Sequence, residues 1–164
     1  MAVIGKHVME KLILEVKDSK YYSISVDSTP DLCNVDQLTC TLRYVKDGLL
    51  VERFVEFIPI YSHTSENLAS TVFDFLKKYD IRIEDCRGQS YDNASNMSGR
   101  YSGLQARFRE YNKYADYVPC ACHSLNLVGL KAAECCSSSV NFFFSCSSTI
   151  HFFVSIYTQM ECST

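Results

Sequence analysis

Two aspartates carry the most chemistry in this chain. Asp27 lies in Ser25-Val26-Asp27-Ser28-Thr29, and Asp92 in Ser90-Tyr91-Asp92-Asn93-Ala94-Ser95-Asn96-Met97. Each closes a short strand-like run, which is how a sheet presents carboxylates to a shared site. Two-metal phosphoryl transfer needs carboxylates that converge on cations about 3.5–4 Å apart. Magnesium takes oxygen ligands and keeps several waters, so one or two carboxylates suffice to hold it. Aspartate also favours strand ends and turns for its local hydrogen bonds. Spacing alone leaves a metal site and a pair of turn residues both open.

Val118-Pro119-Cys120-Ala121-Cys122-His123 follows the second aspartate. Cys120, Cys122 and His123, with Cys135 or Cys136, supply zinc-type donors. Structural zinc wants four ligands, usually from C-x₂₋₄-C pairs, and C-x-C-H fits that poorly. Buried thiols and an oriented imidazole are the plainer reading. A cysteine nucleophile, Cys120 or Cys122 served by His63 or His123, lacks any protease-type local signature. Read as strand residues, Cys122 and His123 also point to opposite faces. Arg100, Arg107, Arg109 and Lys113 stand against Glu110 alone between Asn93 and Lys113. They suit phosphate contacts or a solvated helix face.

These residues need elements to position them. Residues 1–20 predict a helix with Ile4, Val8, Leu12 and Val16 as its apolar stripe. Tyr21 to Thr29 reads as a strand, Gln37 to Lys46 as a second with Leu38, Cys40, Leu42 and Tyr44 on one face. Asp47-Gly48 signals a two-residue hairpin. Leu50 to Ile60 is the third strand, with Val51, Phe54, Val55, Phe57 and Ile58. A helix capped by Thr64 or Ser65 runs to Tyr79. Ile81 to Tyr91 holds a fourth strand, and Asn93 to Gly99 is a polar turn. A helix over 100–111 turns Leu104, Phe108 and Tyr111 inward. Tyr117 to Ala121 is a fifth strand, and Ser124 caps a final helix to about Cys135. The order α-βββ-α-β-α-β-α implies a mixed five-stranded sheet with helices on both faces. It is the element order of a ribonuclease-H-like fold, in which the first and fourth strands are neighbours and Asp27 meets Asp92.

The bulk composition is consistent with one folded domain. The chain has 164 residues, 47% hydrophobic and 21% charged, a globular balance. A net charge of −3 makes any nucleic-acid contact a matter of local basic residues, since self-sufficient DNA binders are usually basic. The nine cysteines are odd in number and irregularly spaced. With no secretory leader, they read as reduced thiols of a nuclear or cytoplasmic protein, not a secreted one.

Four stretches together resemble the hAT superfamily of DNA transposases. They are Ser25 to Asp31, Gly88 to Gly99, Tyr101 to Arg107, and Val118 to Leu127, in the family's order. The similarity runs over about residues 15–160 and is strongest to the branch that includes zinc-finger MYM-type and other transposon-derived proteins. The resemblance implies a ribonuclease-H-like catalytic domain interrupted by a helical insertion. It implies three acids that bind two Mg²⁺ or Mn²⁺ ions, with Asp27 as the first and Asp92 as the second. It matches Cys120 and His123 to the family's C-x-x-H signature. The implied reaction is cut-and-paste transposition, with DNA as partner and no small-molecule substrate.

Departures shape the expectation. The family's third acid, a glutamate beyond the insertion, has no counterpart, and Glu161 lies too early to serve. Gln159-Met160 stand where the family has Arg-Trp, and the chain has no tryptophan. The expected organisation is a helix over 1–20, a partial ribonuclease-H-like core over 21–136, and the truncated start of a helical insertion over 137–164. From Cys135 to Met160 no Lys, Arg, Asp or Glu occurs. Phe143, Cys146, Ile150, Phe153 and Tyr157 form a helical stripe there. That marks Phe142 to Tyr157 as a surface for a protein partner or a second copy rather than a membrane span. The expected function is a fragment of a hAT-type catalytic core without catalysis of its own; the alternative is a domesticated, non-enzymatic nucleic-acid or protein interaction module.

Overall fold

Strand alternation governs the architecture of the computed structural model, which describes residues 2–30, 35–138, 141, 142 and 145. It comprises two units, Met1–Cys120 and Ala121–Thr164. The first holds β1 (Tyr22–Pro30), β2 (Asp36–Lys46), β3 (Leu49–Pro59), β4 (Cys86–Tyr91) and β5 (Asp116–Pro119). The strand order is β3-β2-β1-β4-β5. β1, β2 and β3 pair antiparallel, while β4 and β5 run parallel to β1. This is the mixed five-stranded sheet that the element order predicts.

Tyr22, Ile24 and Val26 of β1 and Leu38, Cys40, Leu42 and Tyr44 of β2 are buried together. They occupy alternate positions, so they share one face. Four helices of this unit cover that face: α1 (Ala2–Ser19), α2 (Ser65–Lys78), α3 (Ser95–Ser98) and α4 (Leu104–Tyr111). Leu68, Val72, Phe75 and Leu76 supply the stripe of α2. Its cap is Thr64, whose hydroxyl accepts from the Asn67 N–H at 3.3 Å. Full burial of each such aliphatic or aromatic side chain contributes about 1.5–3 kcal/mol.

Several local expectations change. Helices α1 to α4 all share one core, so within this unit they lie on a single face and not on both. The other face carries Ser23, Ser25, Thr41 and Arg43. In α1 the buried residues are Leu12, Ile13 and Val16, whereas Ile4 and Val8 are exposed. Only the C-terminal half of that helix reaches the sheet. β3 is an edge strand, which leaves Phe54 and Phe57 exposed, their rings in tilted contact with centroids 4.7 Å apart. The hairpin at Asp47 and Gly48 has positive φ at both residues, 52° and 75°, as a type I′ turn requires. α4 starts at Leu104, not at 100, because Gly99 and Gly103 hold the chain in a tight loop first. Tyr111 is exposed, its ring edge-on to Phe73 at 4.9 Å. In the second unit α5 (Ala121–Ala133) begins before Ser124, which therefore lies inside the helix. Leu125, Val128 and Leu130 of α5 are exposed.

Candidate functional site

The parallel pairing of β1 with β4 decides where the two aspartates go. Ser25 pairs with Ser90. Asp27 lies on β1 two residues beyond that last pair, and Asp92 is the first residue after β4. Ile24 and Val26 point into the core, as do Gln89 and Tyr91. Alternation then turns Asp27 to the opposite side, with Ser25. Asp27 is exposed and Asp92 half-buried. The loop after a parallel strand such as β4, where Asp92 lies, is the usual ligand position of an open α/β sheet.

Asp92 also has a local task. Its Oδ1 accepts the Ala94 N–H at 3.0 Å, an Asx turn that starts the loop to α3. The turn and site readings of this residue are thus compatible. The Cys120 N–H donates to the Tyr91 carbonyl at 2.9 Å. That bond sets Cys120 at the end of β5, against the same edge of β4. His123 belongs to the first turn of α5 in the second unit and is half-buried. Cys122 and His123 are helical neighbours, not strand neighbours, and diverge by about 100°. Among the described residues no group of three or more His, Cys, Asp or Glu side chains is placed to hold a metal ion.

The loops around the aspartates are tied together. His63 Nε2 lies 2.7 Å from Asp36 Oδ2, at the start of β2. Asn96 Nδ2 donates to the His63 carbonyl at 2.9 Å. The Tyr117 hydroxyl donates to the Asp92 carbonyl at 3.2 Å. Sequence reasoning did not single out Asp36, Asn96 or Tyr117, which lie far from one another along the chain. The polar run around Asn96 was the available signal.

The four basic residues do not form one patch. Arg107 is partly buried, and its Nε has no hydrogen-bond partner. Arg109, about 200° further round the helix, pairs with Asp116 at 3.1 Å. Arg100 is exposed before α4 and Lys113 after it. Burial raises the Tyr91 phenol well above its ordinary pKa and lifts the Cys40 and Cys86 thiols to about 12 and about 11. Those two thiols are inert core groups. None of Cys40, Cys86, Cys120, Cys122, Cys135 and Cys136 is in a disulfide.

A mixed five-stranded sheet of this order with flanking helices is that of an RNase-like core. Residues 1–103 match the family model described as ZMYM1/FAM200, RNase-like domain, and the chain belongs to that transposon-derived family. The mouse protein called 52 kDa repressor of the inhibitor of the protein kinase is 32% identical over 121 residues, 73% of this chain and 16% of its own length. Its human counterpart is 30% identical over 122 residues, with the same coverage. The chain thus spans about a sixth of these curated relatives. A Bacteroides thetaiotaomicron protein with an actin-like ATPase fold and unknown function superposes with a TM-score of 0.40 at 8% identity, over 68% of this chain and 37% of that one.

No described helix is long and apolar enough to cross a membrane. Of the segment from Phe142 to Tyr157, only Phe142 and Ser145 lie within the described residues, and both are exposed. Glu161 and Gln159-Met160 lie outside them.

Proposed function

We propose that this chain is part of a hAT-type ribonuclease-H-like core that binds Mg²⁺ or Mn²⁺ through Asp27 and Asp92 and engages DNA without cleaving it alone. The observation that supports this reading is the parallel pairing of β1 with β4, since Asp27 follows the last pair on β1 by two residues and Asp92 directly follows β4. Their oxygen donors suit a hard cation that keeps several waters. Such a cation, when bound, would supply charge stabilisation at a phosphoryl oxygen. Two carboxylates are fewer than the family's three acids, so the reading is of binding and not of self-sufficient catalysis. Arg100, exposed before α4, is the freer candidate for phosphate contact, whereas Lys113 lies over the Tyr114 ring. Arg107 and Arg109 are occupied by burial and by Asp116. Cys120 and His123 would support the site edge rather than ligate. A DNA partner makes the nucleus the working compartment.

Calorimetric titration of Mn²⁺ and Mg²⁺ tests this on the full chain and on Asp27→Asn/Asp92→Asn. Saturable binding that weakens at least tenfold in the double variant is expected. A folded chain that binds no metal, or binds it equally well without the carboxylates, overturns the reading.

A non-enzymatic module is the second reading. Both curated relatives are named as repressors of a kinase inhibitor, and that name describes regulation rather than strand transfer. Under this reading the core is a scaffold, and the segment from Phe142 to Tyr157 meets a protein partner or a second copy.

A further inference from the structure

The end of the sheet remote from Asp27 and Asp92 carries an unassigned cluster. Tyr21 precedes β1, Arg87 sits near the start of β4, and Tyr114 lies in the turn before β5. The Arg87 guanidinium lies 4.2 Å from the Tyr21 ring centroid and 5.7 Å from that of Tyr114. Lys20 Nζ is 5.3 Å from the Tyr21 ring, and Lys113 Nζ is 5.1 Å from the Tyr114 ring. Five cation–ring contacts occur among the described residues, and four gather here. A cation within about 6 Å of a ring centroid is attracted by the ring's quadrupole. All five side chains are exposed.

The backbone is shaped to present them. Tyr22 pairs with Cys86 but Ser23 pairs with Gly88, so Arg87 is an extra residue in the ladder. A bulge of this kind re-aims its side chain, here over Tyr21. Gly88 permits the close approach, since a Cβ there would meet Ser23 Oγ at 2.8 Å. Lys20 has φ 63°, a left-handed residue that ends α1 and swings directly into Tyr21. A groove of about 500 Å³ leads from Tyr21 and Arg87 along the open sheet face past Ser23, Ser25 and Ser90. Arg43 and Glu52 also line it. Asp116, the acid nearest β4 in register, is paired with Arg109.

We propose that this cluster is a binding platform for single-stranded nucleic acid. Exposed bases stack on Tyr21 and Tyr114, and Lys20, Arg87 and Lys113 hold the phosphates. Planar rings interleaved with cations suit a flexible strand with unpaired bases, whereas a duplex hides its base faces. An acidic peptide would use the cations but leave the rings idle. The platform lies roughly 20 Å from Asp27, six strand residues at about 3.3 Å each. It stands independently of metal binding.

The test is fluorescence anisotropy with the full chain, in EDTA, using a labelled oligothymidylate of about 12 nucleotides, within the usual site size. A duplex of equal length and polyglutamate serve as competitors. Single strand should bind in preference to both. Tyr21→Ala/Tyr114→Ala should weaken binding about 10–100-fold, and Tyr21→Phe/Tyr114→Phe less than about twofold, because stacking needs only the ring. Tyr114→Ala alone, at a well-exposed position, should show about tenfold and guards against a misfolded double variant. No binding by the folded chain, equal competition by duplex or polyglutamate, or unchanged affinity in the alanine variants overturns the proposal. Since no divalent metal is present, failure of the Asp27–Asp92 reading would not alter the result.

Discussion

At the scale of single residues, the polar groups divide between site and support. Asp92 does both, facing the sheet edge while accepting the Ala94 N–H. Asparagine at 92 retains an acceptor for that turn and removes the charge, so the proposed Asp→Asn variants separate metal binding from folding. Glu15 is a purely structural carboxylate. Its oxygens accept from Lys46 Nζ at 2.6 Å and from the Tyr44 hydroxyl at 2.8 Å. The Lys46 hydrogen bond, then the Tyr44 one, hold its pKa below the usual 4.5. A depressed carboxylate stabilises the fold above the unfolded pKa and loses that contribution as pH falls through the folded value. Urea midpoints of wild type and Glu15→Gln should therefore differ at about pH 7 and converge on acidification below about pH 4.5. A gap that widens in acid would refute this linkage.

At the scale of elements, the loop between β4 and α4 sets the position of everything after Asp92. The Gly103 N–H donates to the Gly99 carbonyl at 3.0 Å. A Cβ on Gly103 would stand 2.6 Å from that carbonyl oxygen and 2.8 Å from Gly99 Cα. Neither backbone can yield without opening the loop. Gln105 Nε2 donates to the Ser98 carbonyl across the same loop, and Gln89 Nε2 donates to the Ala115 carbonyl at 2.9 Å. Gly103→Ala should cost about 2 kcal/mol or more, since steric conflict in fixed backbone belongs to the severe class of substitutions. Thermal denaturation followed by circular dichroism reads this directly. A melting temperature within a degree or so of wild type would mean that the loop relaxes freely.

At the scale of the whole molecule, the buried apolar cluster runs from Leu12 to Ala115, wholly within the Met1–Cys120 unit. A chain of residues 1–120 should therefore unfold cooperatively in urea. A non-cooperative, sloping transition would show that Ala121–Thr164 is needed to complete the core. The sheet face that carries Ser23, Ser25, Thr41 and Arg43 belongs to this unit too. Cations and aromatic rings gather where the parallel strands begin.

Much of this was legible in the chain itself. Alternation of Leu38, Cys40, Leu42 and Tyr44, the Asp47-Gly48 turn and the Thr64 cap each depend on neighbours within a few residues, so the strands, the hairpin and α2 could be read directly. The motifs around Asp27 and Asp92 likewise marked both acids, and the element order implied adjacent strands. Registers and faces could not be read this way, because they arise from pairing between distant segments. Only the tertiary structure paired β1 with β4 in parallel, put α1 to α4 on one face and pointed Arg107 and Arg109 to different environments. It also gathered Lys20, Tyr21, Arg87, Lys113 and Tyr114 at one sheet end. Their contacts depend on a one-residue bulge at Arg87, and local propensity carries no record of a bulge that two strands create only by pairing.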